Sequence, residues 1–330
     1  MIVVCRNAGK RFDKPLFKCR VNGFKFGGVN MEVVIPFLLV SLLAILGATK
    51  ATVQSGFSKK NINSVKDSVL FNCLAFAFIA IFLAVLFPPE FFTAETFIYG
   101  GAMGLLTASF QIFYTLALKT GPVSLSVLIV NFNVLIPTFF CIIVFKESVY
   151  LSYVFGIVLL IIALLLSYKK DDGSNTGTSF KWLLFVVIAL VSAGSFSAVQ
   201  KYYVEKISNE NPNAFLITAY SFAFLIALVV FGAMSLKKTE EPKVKNKFWK
   251  FLAFATIVAL VLSFYQKTYM YTVDVTDGVF FNPTYLGLNS VIMSLVGIFL
   301  FKDKLTVKQK ISIVLGIASV LFMNLRFWPL

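Results

Sequence analysis

Serine and asparagine side chains recur on one face of two long apolar stretches of this sequence. Ser126, Asn133 and Pro137 follow helical spacing in one stretch, and Asn282 and Asn289 occupy the matching places of the first two in a later stretch. Amides at the same depth in two related helices suit a polar site at the middle of a membrane. The alternative is helix packing, in which Ser and Asn form hydrogen bonds across interfaces for about 0.6 to 2 kcal/mol each. Both interpretations stay open at this point.

Lys50 and Lys267 are basic residues that lie inside apolar stretches. An ionisable side chain costs a few kcal/mol in hydrocarbon, so it indicates either function or an extended stem that reaches the membrane surface. Each lysine lies about five residues from the end of its stretch, a distance that its stem can cover. If they contact a substrate instead, two ammonium groups would favour a molecule that carries carboxylate or phosphate.

Glutamines extend the same polar theme to other stretches. Gln111 and Tyr114 share a helical face with Thr107, while Gln54 and Gln200 occupy matching places in the first and sixth stretches. Helix packing again competes with a site. We predict a substrate-binding set, without catalytic or metal-ligating residues, that comprises Lys50, Gln54, Gln111, Tyr114, Ser126, Asn133, Gln200, Lys267, Asn282 and Asn289.

The composition of the chain is that of a membrane protein. Hydrophobic residues make up 58% and charged residues 14% of the 330 residues, and the mean hydropathy is +0.86. Histidine, the usual general base and metal ligand, is absent, and the four cysteines show no CxxC spacing. No GxxxxGK[ST] motif is present, so any transport would be secondary and not driven by ATP.

The apolar stretches number ten, each close to the length of about 20 residues that a membrane-spanning helix needs. Short connections between them favour antiparallel neighbours. The predicted spans are 32–55, 67–87, 96–118, 122–145, 149–168, 181–204, 213–236, 248–273, 277–301 and 307–326.

The chain contains an internal repeat. FKES at 145–148 has a near copy, FKDK, at 301–304, each between two apolar stretches. The register that superimposes them also pairs Thr120 with Thr276 and Asn133 with Asn289. Each half therefore carries five helices, and because five is odd, the two copies must enter the bilayer in opposite orientations. Such inverted repeats are typical of transporters.

These residues resemble the drug/metabolite transporter superfamily, specifically the EamA-type proteins with two five-helix repeats. The resemblance rests on the ten-span layout, on the turns TGP at 120–122 and TDG at 276–278, and on the family's G-E turn. Here Lys146 and Lys302 replace the glycine of that turn, while the acidic residue is kept. The resemblance implies an all-α integral membrane protein with ten transmembrane helices in two inverted five-helix repeats.

The domain boundaries follow from the repeat. We predict a first five-helix repeat at 31–168, a linker at 169–180 and a second repeat at 181–330. Residues 1–30 hold many basic residues and no apolar run, which predicts a disordered tail that touches anionic lipid or, if Met31 is the true start, a segment that is not translated.

The orientation in the membrane stays open. Loops after the odd-numbered helices hold more lysines than those after the even-numbered helices, which places both termini outside by the positive-inside rule. The family resemblance implies cytoplasmic termini instead.

The pattern as a whole predicts a secondary transporter that moves a small polar metabolite, with an amino acid or related organic anion favoured, by alternating access. We expect the cavity between helices one, three, four, six, eight and nine. The alternatives are an exporter of drugs or lipophilic cations, which usually needs a carboxylate in mid-span, and, from other classes, an intramembrane enzyme or a non-transporting scaffold.

The expected partners are a small-molecule substrate and the lipid bilayer, in a multi-pass protein of a bacterial plasma membrane. The lysines flank apolar runs instead of forming a groove with interleaved aromatics, so no nucleic acid is expected. No cofactor is expected, and a homodimer stays open.

Overall fold

A computed structural model describes residues 25–26, 29–61, 64–120, 126, 129–167, 180–207, 211–236, 248–299 and 307–324. The predicted linker therefore lies outside the described residues, as do FKDK and almost all of the basic tail. At the end of that tail, strands β1 (Lys25–Phe26) and β2 (Val29–Asn30) pair antiparallel directly before the first helix.

The described chain forms ten helices that correspond to the ten predicted spans, which confirms the all-α fold class. The first helix is longer than predicted and extends beyond residue 55. The helices are α1 (Met31–Asn61), α2 (Val65–Leu86), α3 (Ala94–Thr120), α4 (Leu135–Phe145), α5 (Leu151–Ser167), α6 (Phe180–Tyr202), α7 (Pro212–Leu236), α8 (Phe248–Val275), α9 (Gly278–Phe299) and α10 (Val307–Asn324).

Two helices depart from regular α geometry. Helix α6 continues as a π-helical turn, Tyr203–Ile207. Helix α4 follows a 3₁₀ turn, Phe132–Val134, instead of running unbroken from residue 122 as the sequence suggested. Pro137 explains this departure, because a proline has no N–H for the carbonyl of residue i−4, which here is Asn133, and its ring crowds that carbonyl.

The outer surface of the bundle is apolar, as contact with lipid requires. Among the described helices, six are long and apolar enough to cross a membrane, and the segments Ile129–Phe145 and Leu151–Ala163 are shorter apolar helices. Large aliphatic side chains such as Val85 and Val229 are each 71% exposed in the isolated chain. Water would make this exposure unfavourable, whereas hydrocarbon does not. The protein is therefore an integral, multi-pass membrane protein.

The helix packing has the symmetry of the repeat. Helix α1 packs on α8 and α9, and α6 packs on α3 and α4, which are the equivalent helices of the other half. In the same way, α2 packs on α8 and its equivalent, α7, packs on α3. The contacts α2–α7, α4–α9 and α5–α10 each join two equivalent helices, so an exchange of the two units leaves these contacts unchanged. The two five-helix units are therefore related by a pseudo-twofold exchange.

The largest apolar core lies where the two units meet, among α2, α3, α7 and α8. It includes Phe71, Phe215 and Phe251, each almost completely buried. Gly100 and Gly104 on α3 face α7 so closely that a Cβ at Gly104 would collide with the backbone of Ala219. Small residues spaced by four let helix backbones approach in a membrane, where packing and not water exclusion holds helices together.

The turn after α4 adopts the left-handed conformation that glycine favours, although its residue is lysine. Lys146 has φ 52° and ψ 41°, and its N–H donates to the carbonyl of Cys141 to end the helix. This reversal carries the next residue, Glu147, towards α9, where its carboxylate accepts hydrogen bonds from the N–H groups of Gly278 and Val279 at 2.9 and 2.8 Å. The G-E turn of one repeat thus caps a helix of the other.

Lys146→Gly is expected to keep or raise the stability of the protein, by up to about 1 kcal/mol, because a left-handed backbone is costly for a residue with a Cβ. Lys146→Val should lower it by about 1 to 2 kcal/mol, since β-branched residues tolerate this conformation worst. Thermal unfolding of the three proteins in one detergent measures the difference. Equal stability of the Gly and Val variants would contradict the assignment of the turn.

Candidate functional site

The predicted asparagine of α9 lies at a close approach between α9 and α1. A Cβ atom at Gly47 of α1 would lie 2.6 Å from the hydroxyl oxygen of Tyr285 and 3.4 Å from Oδ1 of Asn289. Oδ1 of Asn289 is buried and has no hydrogen-bond partner among the described residues. An unpaired amide oxygen in the middle of a helix bundle is costly, so it is a candidate for contact with a bound molecule.

The matching asparagine of the other repeat lies at the equivalent approach, between α4 and α6. A Cβ atom at Gly194 of α6 would lie 2.8 Å from the carbonyl oxygen of Asn133, whose usual i+4 donor is missing because Pro137 has no N–H. In the repeat register, Gly194 corresponds to Ala48, next to Gly47. The two asparagines therefore occupy matching positions in the two units, as the sequence predicted.

Tyrosines lie beside Asn289 on the face of α8 that packs on α9. The hydroxyl of Tyr265 donates to the hydroxyl of Tyr285 over 2.9 Å, and the ring of Tyr269 packs edge-on against Phe281. Both Tyr265 and Tyr269 face the interior of the bundle, and the hydroxyl of Tyr265 adds a polar group to the approach between Gly47 and Asn289.

Gln200 begins a second polar chain, which connects α6, α8 and α7 through Gln266. Its amide N–H donates to Oε1 of Gln266 at 3.2 Å, and Gln266 donates in turn to the hydroxyl of Tyr220. Gln200 is fully buried, and its own Oε1 has no partner among the described residues. Gln266 was not among the residues predicted from the sequence, although it lies next to Tyr265 within the eighth apolar stretch.

Lys50 lies on the same face of α1 as Gly47, one helical turn further along. Three residues advance a helix by about 4.5 Å, so the lysine lies close to the level of Asn289. Lys50 is half-buried, and it makes no hydrogen bond or ion pair within the described part of the chain. Its ammonium group is therefore available to a ligand.

Lys267 has protein partners instead. Its Nζ donates to Oδ1 of Asn213 at the start of α7, over 2.6 Å, and lies 5.6 Å from the ring centre of Phe87 after α2. Both partners lie at helix ends. The structure thus places Lys267 near the edge of the membrane, on a different face of α8 from Tyr265, which corresponds to the snorkelling alternative.

Ser126 and Asn282, the outer members of the two stripes, make packing contacts. Oγ of Ser126 accepts a hydrogen bond from the indole N–H of Trp182 at 2.9 Å, which ties it to the start of α6. Asn282 donates to the carbonyl of Gly278 one turn earlier in α9. The site hypothesis therefore rests on Asn133 and Asn289, and not on Ser126 and Asn282.

The remaining predicted residues contribute less. Tyr114 stacks on Phe110 in an apolar cluster that includes Trp182, which separates it from the tyrosines of α8. Gln111 is half-buried on α3, and its backbone carbonyl accepts from Thr115. The side chain of Gln54 lies outside the described residues.

A buried ionic cluster was missed by the sequence reasoning. Lys201 of α6 is 4% exposed and pairs with Glu205 at 2.9 Å and, more distantly, with Glu147 at 3.9 Å. Lys201 falls within the predicted sixth span but was not singled out there. The signal was the i, i+4 pairing of a lysine and a glutamate at the end of an apolar stretch.

The comparisons with known proteins agree with this architecture. Residues 180–325 match the model of the EamA-like transporter family. The matched residues are those of the second five-helix unit, α6 to α10. The predicted resemblance to the drug/metabolite transporter superfamily is thereby confirmed, and with it the class of membrane transporters of the drug/metabolite type.

The fold of the chain as a whole is also similar to that of solved structures. Twenty-eight chains of solved structures match. One of them, entitled "Crystal structure of protein", matches with a TM-score of 0.62 and 13% identity over 89% of this chain and 96% of that chain. At this identity the likeness shows the fold alone. No curated protein matches the sequence.

Tyr220→Phe is expected to lower the stability of the protein by about 1 to 3 kcal/mol, because the buried amide of Gln266 then loses its acceptor. The matched control is Tyr271→Phe, since Tyr271 is 58% exposed; it should change stability by less than about 0.5 kcal/mol. Unfolding temperatures in detergent measure both effects. A Tyr220 variant as stable as the control would contradict the polar chain between α6, α7 and α8.

Proposed function

We propose that the protein is a secondary transporter that moves a small polar metabolite by alternating access between its two five-helix units. The observation that carries this proposal is the pair of asparagines at equivalent helix approaches, with Lys50 one turn from Gly47 and the unpartnered Oδ1 of Asn289 beside it. A site on the pseudo-twofold axis can face either side of a membrane when the two units exchange conformations.

The chemistry of the site favours an amino acid or a related organic anion. The ammonium group of Lys50 would bind a carboxylate, and the unpartnered amide oxygens of Asn289 and Gln200 would accept hydrogen bonds from the substrate's ammonium or hydroxyl groups. Lys267 has Asn213 as a partner, so the proposed site contains one lysine, Lys50, instead of two.

The other candidate functions fit this site less well. An exporter of lipophilic cations usually needs a carboxylate in mid-span, and in the described part of the chain Glu147 and Glu205 lie at helix ends. An intramembrane enzyme needs an acid/base or metal centre, and the chain has no histidine. A scaffold has no reason to keep polar positions matched between halves. We therefore propose a transporter without enzymatic activity and without a cofactor.

Transport in liposomes tests the proposal. Purified protein is assayed for uptake and efflux of amino acids, organic acids and sugar phosphates, and then the best substrate is tested with Lys50→Ala and Asn289→Ala. Each substitution should reduce kcat/KM at least about tenfold, the effect of losing one buried charge-assisted hydrogen bond. Lys267→Ala is the matched control and should change it less than about threefold.

Two results would contradict the proposal. One is undiminished transport of an anionic substrate by both the Lys50 and the Asn289 variants. The other is preferential transport of lipophilic cations, which would favour the alternative function. We further propose that the protein resides in a bacterial plasma membrane. The direction of transport and the formation of a homodimer can be measured with the same liposome preparation.

A further inference from the structure

The ammonium group of Lys201 lies in a cage of oxygen atoms at the end of α6. Nζ donates to the carbonyl oxygens of Val273 and Thr276, at 2.8 and 2.9 Å, and to Oε1 of Glu205 at 2.9 Å. The two carbonyls belong to the C-terminal end of α8, where a cation is favoured by the helix dipole. Lys201 therefore fixes the end of α8 from within its own repeat.

Glu147 holds the other side of the same turn, and it does so from the opposite repeat. Its two carboxylate oxygens accept hydrogen bonds from the first N–H groups of α9, at Gly278 and Val279, where an anion is favoured. Oε1 of Glu147 also lies 3.9 Å from Nζ of Lys201. The side chains of Lys201 and Glu147 are only 5% and 11% exposed, so water cannot replace these contacts.

The cluster lies at one side of the membrane, because α4, α6 and α8 run in the same direction and end together. On the other side the repeat places Asp303 in the position of Glu147, but it places Ser55 in the position of Lys201. Serine carries no charge. The register therefore places no lysine at the position of Lys201 in the other repeat.

We propose that Lys201 and Glu147 form an ionic gate that holds this side of the protein closed. The proposal rests on the alternating-access function proposed above. Opening this side requires the turn after α4 to separate from the start of α9, which removes the acceptor of two N–H groups of α9 and moves the carboxylate of Glu147 away from Lys201. Because breaking a buried pair is far more costly than never forming one, the gate biases the protein towards the closed state.

Cys141 of α4 is a native reporter of the gate. It is completely buried and packs against Gly278, directly beneath the Glu147 contact. Opening the gate would expose this thiol to water. Labelling by a membrane-impermeant maleimide, in a background with serine at Cys5, Cys19 and Cys73, measures its accessibility without any substrate.

Glu147→Gln and Lys201→Met are both expected to increase the labelling rate of Cys141 about tenfold or more, because each weakens the closed state. Electrostatics alone predicts opposite effects, since the charges of Glu147 and Lys201 act on this thiol with opposite sign and a nearby cation favours the reactive thiolate. Faster labelling by both variants is thus specific to opening.

Two matched variants separate gating from general loosening. Glu205→Gln removes a partner of Lys201 within the same helix and leaves the contact between repeats in place, so labelling should rise less than about threefold. Lys201→Arg retains the charge and should label more slowly than Lys201→Met.

A second background, in which Cys73 of α2 is the only cysteine, reports unfolding, because Cys73 is buried in the core far along α2 from this turn. The proposal is overturned if Glu147→Gln or Lys201→Met leaves Cys141 as slow as in the parent protein, or if Cys73 is accelerated equally. It is also overturned if Glu205→Gln matches Glu147→Gln. Since the readout needs no substrate, failure of the transport assay would not affect it.

Discussion

Hydrocarbon cannot solvate a polar group, and this constraint determines most of what the structure shows. Each buried charge, amide and helix-terminal N–H must find a partner within the protein. Glu147 and Lys201 satisfy the constraint fully: one caps α9 and the other caps α8. Asn289 and Gln200 do not satisfy it, since an oxygen of each is buried without a partner among the described residues. The satisfied groups hold the fold, and the site proposed above is built on the two unsatisfied amide oxygens.

The repeat explains why satisfied and unsatisfied polar groups lie in different parts of the molecule. A pseudo-twofold exchange brings two copies of one helix pair, α1 with α9 and α6 with α4, to the centre of the molecule. Gly47 and Gly194 make these approaches possible because a larger residue would collide with the facing helix. The same symmetry is broken at Lys201, whose counterpart is an uncharged serine. A symmetric centre with an asymmetric periphery is consistent with a transporter whose two closed states have different energies.

Much of the fold could be predicted from the sequence, because hydropathy and helix length are properties of single segments. FKES and FKDK set the repeat register that pairs Asn133 with Asn289, and the helix contacts have the symmetry that such a repeat implies. The 3₁₀ turn before α4 was not predicted, although Pro137 was noted and its effect on the carbonyl of Asn133 follows from its chemistry. Single-segment properties thus locate helices well and their irregularities less well.

The site was harder to predict, because side-chain partners depend on contacts between distant segments. Lys50 and Lys267 look alike in the sequence, but Lys267 has a partner, Asn213, on another helix, whereas Lys50 has none among the residues that the structure describes. Ser126 resembles a site residue in the sequence, but in the structure its hydroxyl accepts a hydrogen bond from Trp182. Glu147 stabilises a helix end, but that helix belongs to the other repeat. Periodicity cannot reveal such cross-repeat contacts.

Substrate protection of a thiol placed at Asn289 tests the central claim, that the transported molecule binds between the two units, most directly. Asn289→Cys is labelled with a small thiol reagent in the presence of increasing concentrations of the substrate found in liposomes, and Gly232→Cys, a lipid-facing position with open space around it, is the control. Binding at this site predicts that labelling at 289 falls with a half-effect near the concentration that half-saturates transport, while labelling at 232 does not change. Unaltered labelling at 289 under saturating substrate would contradict a site between the repeats.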